Sequence, residues 1–448
     1  MSHHNRPIST HVQNYGRRTI LKATAAGTAA AVFGIACGAV GPARAQDASP
    51  IASPQPETEA PAASPAADAA TPAPAVGGQQ FAYVGSDSRT AIDAGADPDE
   101  VGISVYAVDP ATGVLTHVQT VPSDNAFYFA FDPTQMFLYV VNVIGDYEGG
   151  TTGSVEAYAR DPLTGMLTFI NRQSSGGAVA AQPAVDPSGR FLVVANYNGA
   201  NFTVLPINPD GSLEPVVSVI VREGAGPNTA RQDMSHPHAV VYDPAGNFIA
   251  AADLGTDEVL IFQLDPDTGT LTEVSSASTA AGAGPRHVAF NEEGTILYVV
   301  NELDATITVF AYDSVTGTIG EELQTISTVV DPFEGTRSTA EILIHPSGLF
   351  LYNSNRGQPD STTPEGDAII GFSIDPATGL LTLIGHTVEE IAVPWSFAFD
   401  ATGSWLYSAN YDSDSITQYA IDPATGVLTY TGNKTDVPKP FVIQLSSP

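Results

Sequence analysis

From residue 81 onward the chain reads as short runs of alternating apolar and polar residues. Ile103-Ser104-Val105-Tyr106 and Ile307-Thr308-Val309-Phe310 are two of them. Alternation at period two is the signature of a strand with one face buried. Such a run leads into Asp-Pro-x-Thr-Gly-x-Leu or a near variant seven times, at Asp109, Asp161, Asn208, Asp265, Asp313, Asp375 and Asp422. The spacings are 52, 47, 57, 48, 62 and 47 residues. Asp, Pro and Gly at fixed offsets between two strand patterns make a hairpin, because Pro presets φ and Gly accepts φ > 0.

A second element interleaves with the first. Asp132-Pro133 leads to Phe137-Leu138-Tyr139-Val140-Val141-Asn142, and equivalents end at Asn196, Asp253, Asn301, Asn355 and Asn410. Phe81-Ala82-Tyr83-Val84-Gly85 reads as a truncated copy, and Phe441-Val442-Ile443-Gln444-Leu445 as the missing first strand of a repeat. Four strands per unit, seven units and a unit split between the two ends predict an all-β, seven-bladed β-propeller closed by its N- and C-terminal strands. No ten-residue helical period lies between the strands, which excludes a two-domain α/β arrangement.

The segment before residue 81 has a different character. Residues 1–45 hold five basic residues and no acid. Tyr15-Gly16-Arg17-Arg18-Thr19-Ile20-Leu21-Lys22 is a twin-arginine pattern, followed by an Ala/Gly-rich apolar run and the small-x-small triplet Ala43-Arg44-Ala45. These are the marks of a Tat export signal, and the run is too short and too rich in Gly for a membrane helix. The tract that follows, as in Pro61-Ala62-Ala63-Ser64-Pro65-Ala66, can bury no core and reads as a solvated tether. The expected organisation is therefore a signal over 1–45, a linker over 46–80 and a propeller over 81–448. A periplasmic, cell-envelope or extracellular location follows.

Charge narrows the partners. The 448-residue chain carries −33, and the 11 basic and 49 acidic side chains beyond residue 45 leave −38 on the expected mature protein. That excludes a nucleic-acid binder, which needs a basic footprint, and disfavours direct contact with an anionic membrane. The only cysteine, Cys37, lies in the signal, so thiolate catalysis and cysteine-held metals are excluded from the propeller. A monomer is expected.

Superposing the repeats isolates candidate chemistry. Five positions before the turn on each innermost strand stand Phe127, Ala181, His238, Arg286, Ala340 and Trp395. Just after the Asn or Asp that ends each second strand stand Val143, Tyr197, Leu254, Glu302, Arg356 and Tyr411. Both sets should ring a central funnel on one face. His238, Arg286, Glu302 and Arg356 then converge from consecutive blades. Two arginines there hold a carboxylate or phosphate and polarise an ester carbonyl, and a Glu or His supplies a general base. The competing reading makes Arg286 and Glu302 a structural ion pair between blades.

His236-Pro237-His238 puts two imidazoles on one face of a strand, with Asp253 ending the neighbouring strand. No third histidine has ligand spacing, so neither a metal nor another cofactor is expected. Strict alternation turns His287 away from Arg286 into blade packing. Glu341, on an otherwise apolar inner strand, needs a partner, with Arg356 or Arg337 as candidates.

These stretches resemble the seven-bladed lactonase family, which includes bacterial 6-phosphogluconolactonase and the fungal carboxy-muconate cyclases. The resemblance rests on Ser235-His236-Pro237-His238, Asp253-Leu254-Gly255-Thr256-Asp257, Gly284-Pro285-Arg286-His287, Asn301-Glu302-Leu303, Ala340-Glu341-Ile342 and Ser354-Asn355-Arg356-Gly357. It implies catalytic roles for His238, Arg286, Glu302 and Arg356, with Glu302, assisted by His238, activating water. His236, Asp253, Glu341 and Trp395 are then candidate substrate contacts. Where the family's last blade usually carries another Pro-Arg, this chain has Val393-Pro394-Trp395-Ser396. A less anionic lactone, neutral or carboxylated, is implied. The alternatives are a muconate-type cycloisomerase on the same residues and a non-catalytic surface-exposed binding or scaffold propeller.

Overall fold

A computed structural model describes residues 78–329, 333, 335–358, 360 and 366–448. The expected export signal and nearly all of the linker lie outside these residues. Seven four-stranded antiparallel sheets make up the fold. Blade 1 is assembled from both ends of the propeller: Pro440–Leu445 is its innermost strand and pairs with Phe81–Ser86, which pairs with Gly102–Val108, then Leu115–Pro122. The innermost strands of blades 2 to 7 are Ala126–Phe131, Ala180–Val185, Pro237–Tyr242, Pro285–Phe290, Thr339–Ile344 and Pro394–Phe399. Each inner strand packs against the inner strands of both neighbouring blades, closing the ring. Among the described residues no helix is long and apolar enough to cross a membrane.

The repeated sequence positions explain the packing. In the Asp-Pro turns, the Asp109 carboxylate accepts the amides of Ala111 and Thr112 at 3.0 and 2.8 Å, and Gly113 sits at φ +69°. That φ is what makes Gly the residue of choice there. The glycine carbonyl then joins blades. Tyr83, Tyr139, Tyr298, Tyr352 and Tyr407, all on second strands, donate their hydroxyls to the carbonyls of Gly165, Gly211, Gly379, Gly426 and Gly113 in the next blade. The Tyr407 contact carries the ring across the chain ends. Second strands are buried nearly end to end, whereas the outermost strands are exposed or half-buried along most of their length.

One irregularity positions everything that follows. On every inner strand the pairing register slips by a β-bulge. The bulged residues are Phe127, Ala181, His238, Arg286, Ala340 with Glu341, Trp395 and Phe441, which is the first register set plus the blade 1 member. A bulge interrupts alternation and re-aims the side chain beside it.

Candidate active site

The two register sets are stitched together by one repeated hydrogen bond. The amide of the residue after each second strand donates to the carbonyl two residues before the bulge. The pairs are Val143 to Asn125, Tyr197 to Val179, Leu254 to His236, Glu302 to Gly284, Arg356 to Ser338 and Tyr411 to Val393, at 2.7 to 3.2 Å. Glu302 is thereby held at the start of the strand that carries Arg286. Gly284 is required at that point: it has φ +67°, and a Cβ would lie 2.6 Å from the Leu303 side chain.

Glu302 is the hub of a buried ion cluster. Its Oε1 lies 2.6 Å from Arg231 Nη2, and its Oε2 lies 3.0 Å from Arg286 Nε and 3.1 Å from Arg356 Nη2. The Arg231 contact is an aligned hydrogen bond. Arg286 Nε and Arg356 Nε are not aligned with any acceptor, so these two cations are held largely by charge. Arg286 also donates through Nη1 to the Ala340 carbonyl at 2.7 Å, and Arg356 through Nη2 to Ser338 Oγ and the Thr339 carbonyl at 3.0 Å. Arg286 Nη2 and Arg356 Nη1 make no hydrogen bond to a described residue.

The electrostatics follow from burial and from this clustering. Burial alone would raise the Glu302 carboxyl, but Arg231, Arg356 and Arg286 outweigh it and hold it at about 2. Burial and the neighbouring Arg356 push Arg286 down to about 10, so it stays cationic at neutral pH. His238 is driven well below the ordinary histidine range by burial and by the repulsion of Arg286, His287 and Arg356. It is therefore neutral, and its buried Nδ1 has no hydrogen-bond partner. The Tyr197 ring lies edge-on to the His238 ring at 5.6 Å.

The other half of the channel mouth is aromatic. Phe127, Trp395 and Phe441 pack edge-to-face with centroids 5.1 to 5.8 Å apart, and Tyr411 stacks on Phe441 at 5.5 Å. Trp395 joins the halves: the Arg356 guanidinium lies 4.2 Å from its ring centroid and that of Arg286 5.8 Å.

The remaining candidates are placed as follows. His236 stacks on Tyr197 at 4.3 Å, with Nδ1 on the Tyr197 carbonyl and Nε2 3.0 Å from Asp233. Asp253 is fully buried and accepts from Ser235 Oγ and the amides of His236 and Gly255. Glu341 meets neither Arg356 nor Arg337 as its direct partner: His287 Nδ1 lies 2.8 Å from one oxygen, and the Tyr128 hydroxyl donates to the other at 3.0 Å. The expectation for His287 is also corrected. Its Nε2 lies 3.2 Å from Arg286 Nη1, because the bulge at Arg286 breaks the alternation that would have turned it away.

Arg231 and Tyr128 were not singled out from the sequence. Arg231 sits in the loop between the outer strand of blade 3, Ser218–Val221, and the inner strand of blade 4. Gln232, fully buried, pins that loop by donating to the Leu254 carbonyl and to Asp257. The available signal was the 57-residue spacing between Asn208 and Asp265, an insertion carrying one of the scarce basic residues.

Residues 81–445 match the family profile described as lactonase, 7-bladed beta-propeller. A 6-phosphogluconolactonase of Bacillus subtilis is 32% identical over 289 residues, covering 64% of this chain and 78% of the relative. One from Pectobacterium carotovorum is 33% identical over 322 residues, covering 71% and 87%. Among solved structures, a periplasmic gluconolactonase of Pseudomonas aeruginosa superposes with a TM-score of 0.74 at 29% identity, over 82% of this chain and 99% of that one. With its seven blades and the match along the whole propeller, and beside relatives named as lactone-hydrolysing 6-phosphogluconolactonases, the chain belongs to the seven-bladed β-propeller lactonases.

Proposed function

We propose that this protein is an exported hydrolase that opens a small neutral or carboxylated lactone, and that the arginine half of the channel mouth is where the ring is cleaved. The observation that carries the reading is the pairing of unused groups: free guanidinium N–H donors on Arg286 and Arg356 beside a buried, neutral His238 with an unpartnered nitrogen. A purely structural ion cluster would have no use for either.

The roles follow from the charges. A carboxyl held at about 2 by three arginines is ionised but feebly basic, so Glu302 gathers the arginines and His238 takes the base role. Water attacks the lactone carbonyl carbon as His238 accepts its proton. The carbonyl oxygen becomes an oxyanion stabilised by the donors of Arg286 and Arg356. Collapse of the tetrahedral adduct breaks the ring C–O bond, and the departing alkoxide recovers the proton from the imidazolium. The product is the open hydroxy acid.

Charge bears on the substrate. Three arginines against the Glu302 and Glu341 carboxylates leave one net positive charge near the channel axis, enough for one carboxylate or the developing oxyanion. Trp395 occupies the place of a further arginine, and the −38 expected on the mature protein repels dianions at long range. Export rests on the twin-arginine segment and on the periplasmic location named for the Pseudomonas aeruginosa relative.

The test is a panel comprising gluconolactone, a carboxylated lactone and 6-phosphogluconolactone, run with wild type and with the Arg286→Ala/Glu302→Gln double variant. Turnover of a non-phosphorylated lactone by wild type, lost in the variant, supports the reading. Equal rates in the two proteins would overturn it.

A further inference from the structure

We infer that Tyr128, Glu341 and His287 form a positioning relay across the channel that fixes the orientation of Arg286. The inference rests on the proposed role of Arg286 and adds residues from three blades that hydrogen-bond to Arg286 through His287.

A guanidinium has only N–H donors. Arg286 Nη1 lies 3.2 Å from His287 Nε2, so that nitrogen must carry the lone pair and the proton must sit on Nδ1. Nδ1 lies 2.8 Å from Glu341 Oε1, a carboxylate placed to receive it. The same Oε1 accepts the Ile342 amide at 3.2 Å, and Oε2 accepts the Tyr128 hydroxyl at 3.0 Å. Tyr128 comes from blade 2 and Glu341 from blade 6, so the bond crosses the axis. The Tyr128 and His287 rings meet edge-to-face at 5.5 Å, which fixes the imidazole plane.

Burial makes the arrangement single-valued. The His287 and Glu341 side chains are each 3% exposed, leaving no solvent to exchange partners with. Burial also keeps His287 below its ordinary range, against the pull of Glu341, so it is neutral. The other tautomer would set an N–H of His287 against an N–H of Arg286 and leave Glu341 short of a donor, each a buried polar group left unmet. Both Nη1 hydrogens of Arg286 are thereby committed, one to Ala340 and one to His287. With Nη1 fixed and Nε drawn to Glu302, the guanidinium plane is set and Nη2 makes no hydrogen bond to a described residue. His287 and Glu341 are positioning residues, and both oxygens of Glu341 are engaged within the protein.

The experiment combines a spectroscopic readout with kinetics. Protein with 15N-labelled histidine should show one buried neutral imidazole in the Nδ1–H form, assigned by its loss in His287→Gln, and Glu341→Gln should mix the two tautomers. Where lactone turnover is measurable, His287→Leu should lower kcat about 10- to 100-fold with KM little changed, since orientation of a group acting in the transition state is lost. His287→Gln, whose amide can both accept from Arg286 and donate to Glu341, should recover part of that loss. An Nε2–H or protonated His287 in wild type would overturn the relay whether or not the protein hydrolyses lactones. So would a folded His287→Leu variant with wild-type kcat.

Discussion

The two halves of the channel mouth are drawn from the same two register sets of one repeat and are built from opposite chemistry. His238 and Arg286 at bulges, with Arg356 after the second strand of blade 6, form one half; Trp395, Phe441 and Phe127 at bulges, with Tyr411 after the second strand of blade 7, form the other. The backbone is the same bulge and the same stitching hydrogen bond around the ring. The scaffold therefore supplies converging positions, and side-chain identity alone decides whether a position is reactive or packed. In the aromatic half the side chains satisfy one another. In the arginine half guanidinium donors and a ring nitrogen of His238 have no hydrogen-bond partner among the described residues.

The comparison predicts unequal consequences. Arg286→Ala should cut kcat/KM about 100- to 1,000-fold, the usual cost of an oxyanion donor. Its mirror test, Phe127→Leu in the aromatic half, should leave turnover within about threefold while lowering stability by about 1 kcal/mol through lost packing. A comparable loss of turnover in both would erase the distinction.

Acid should separate the halves next. The Glu302 carboxyl is depressed from 4.5 to about 2, so its contribution to stability is present above about pH 4.5 and is lost as pH falls toward 2. His238 is depressed below 6.5, so the unfolded chain takes up that proton first and stability also declines as pH drops below about 6.5. Glu302→Gln should remove part of the acid-induced loss measured by denaturant titration at several pH values. Phe127→Leu should shift stability equally at every pH.

Trp395 stands where the halves meet, and Trp395→Arg converts an aromatic position to a charged one. The added cation should shift relative kcat/KM toward phosphorylated lactones over neutral ones by about tenfold, one opposite charge in a partly buried site. An unchanged ratio would mean that Trp395 does not contact the substrate.

The sequence disclosed what repeats, and what breaks the repeat. Asp-Pro-x-Thr-Gly turns located the blades, and the short runs at Phe81 and Phe441 located the strand pair that closes the ring. The register also drew out His238, Arg286, Glu302 and Arg356, because a charged residue among apolar equivalents is visible without coordinates. What depends on departures from regularity stayed hidden. The bulge puts His287 beside Arg286, against the alternation of an ideal strand. Arg231 arrives from a loop whose course is set by the buried Gln232. The bond from Tyr128 to Glu341 depends on the width of the closed channel, which no single blade encodes. The balance of charge on Glu302 likewise required the third arginine, and in the proposed mechanism it moves the base role from Glu302 to His238.

That reassignment is the centre of the account, and a comparison of two variants tests it. Lactone hydrolysis by His238→Gln and Glu302→Gln should be measured on folded protein across pH 5 to 8, beside wild type. If His238 is the base, its variant should lose about 100- to 10,000-fold in kcat with little change in KM. Glu302→Gln should act through arginine placement, recovering in part with Glu302→Asp. Wild-type turnover by His238→Gln, with the loss confined to Glu302→Gln, would contradict the account.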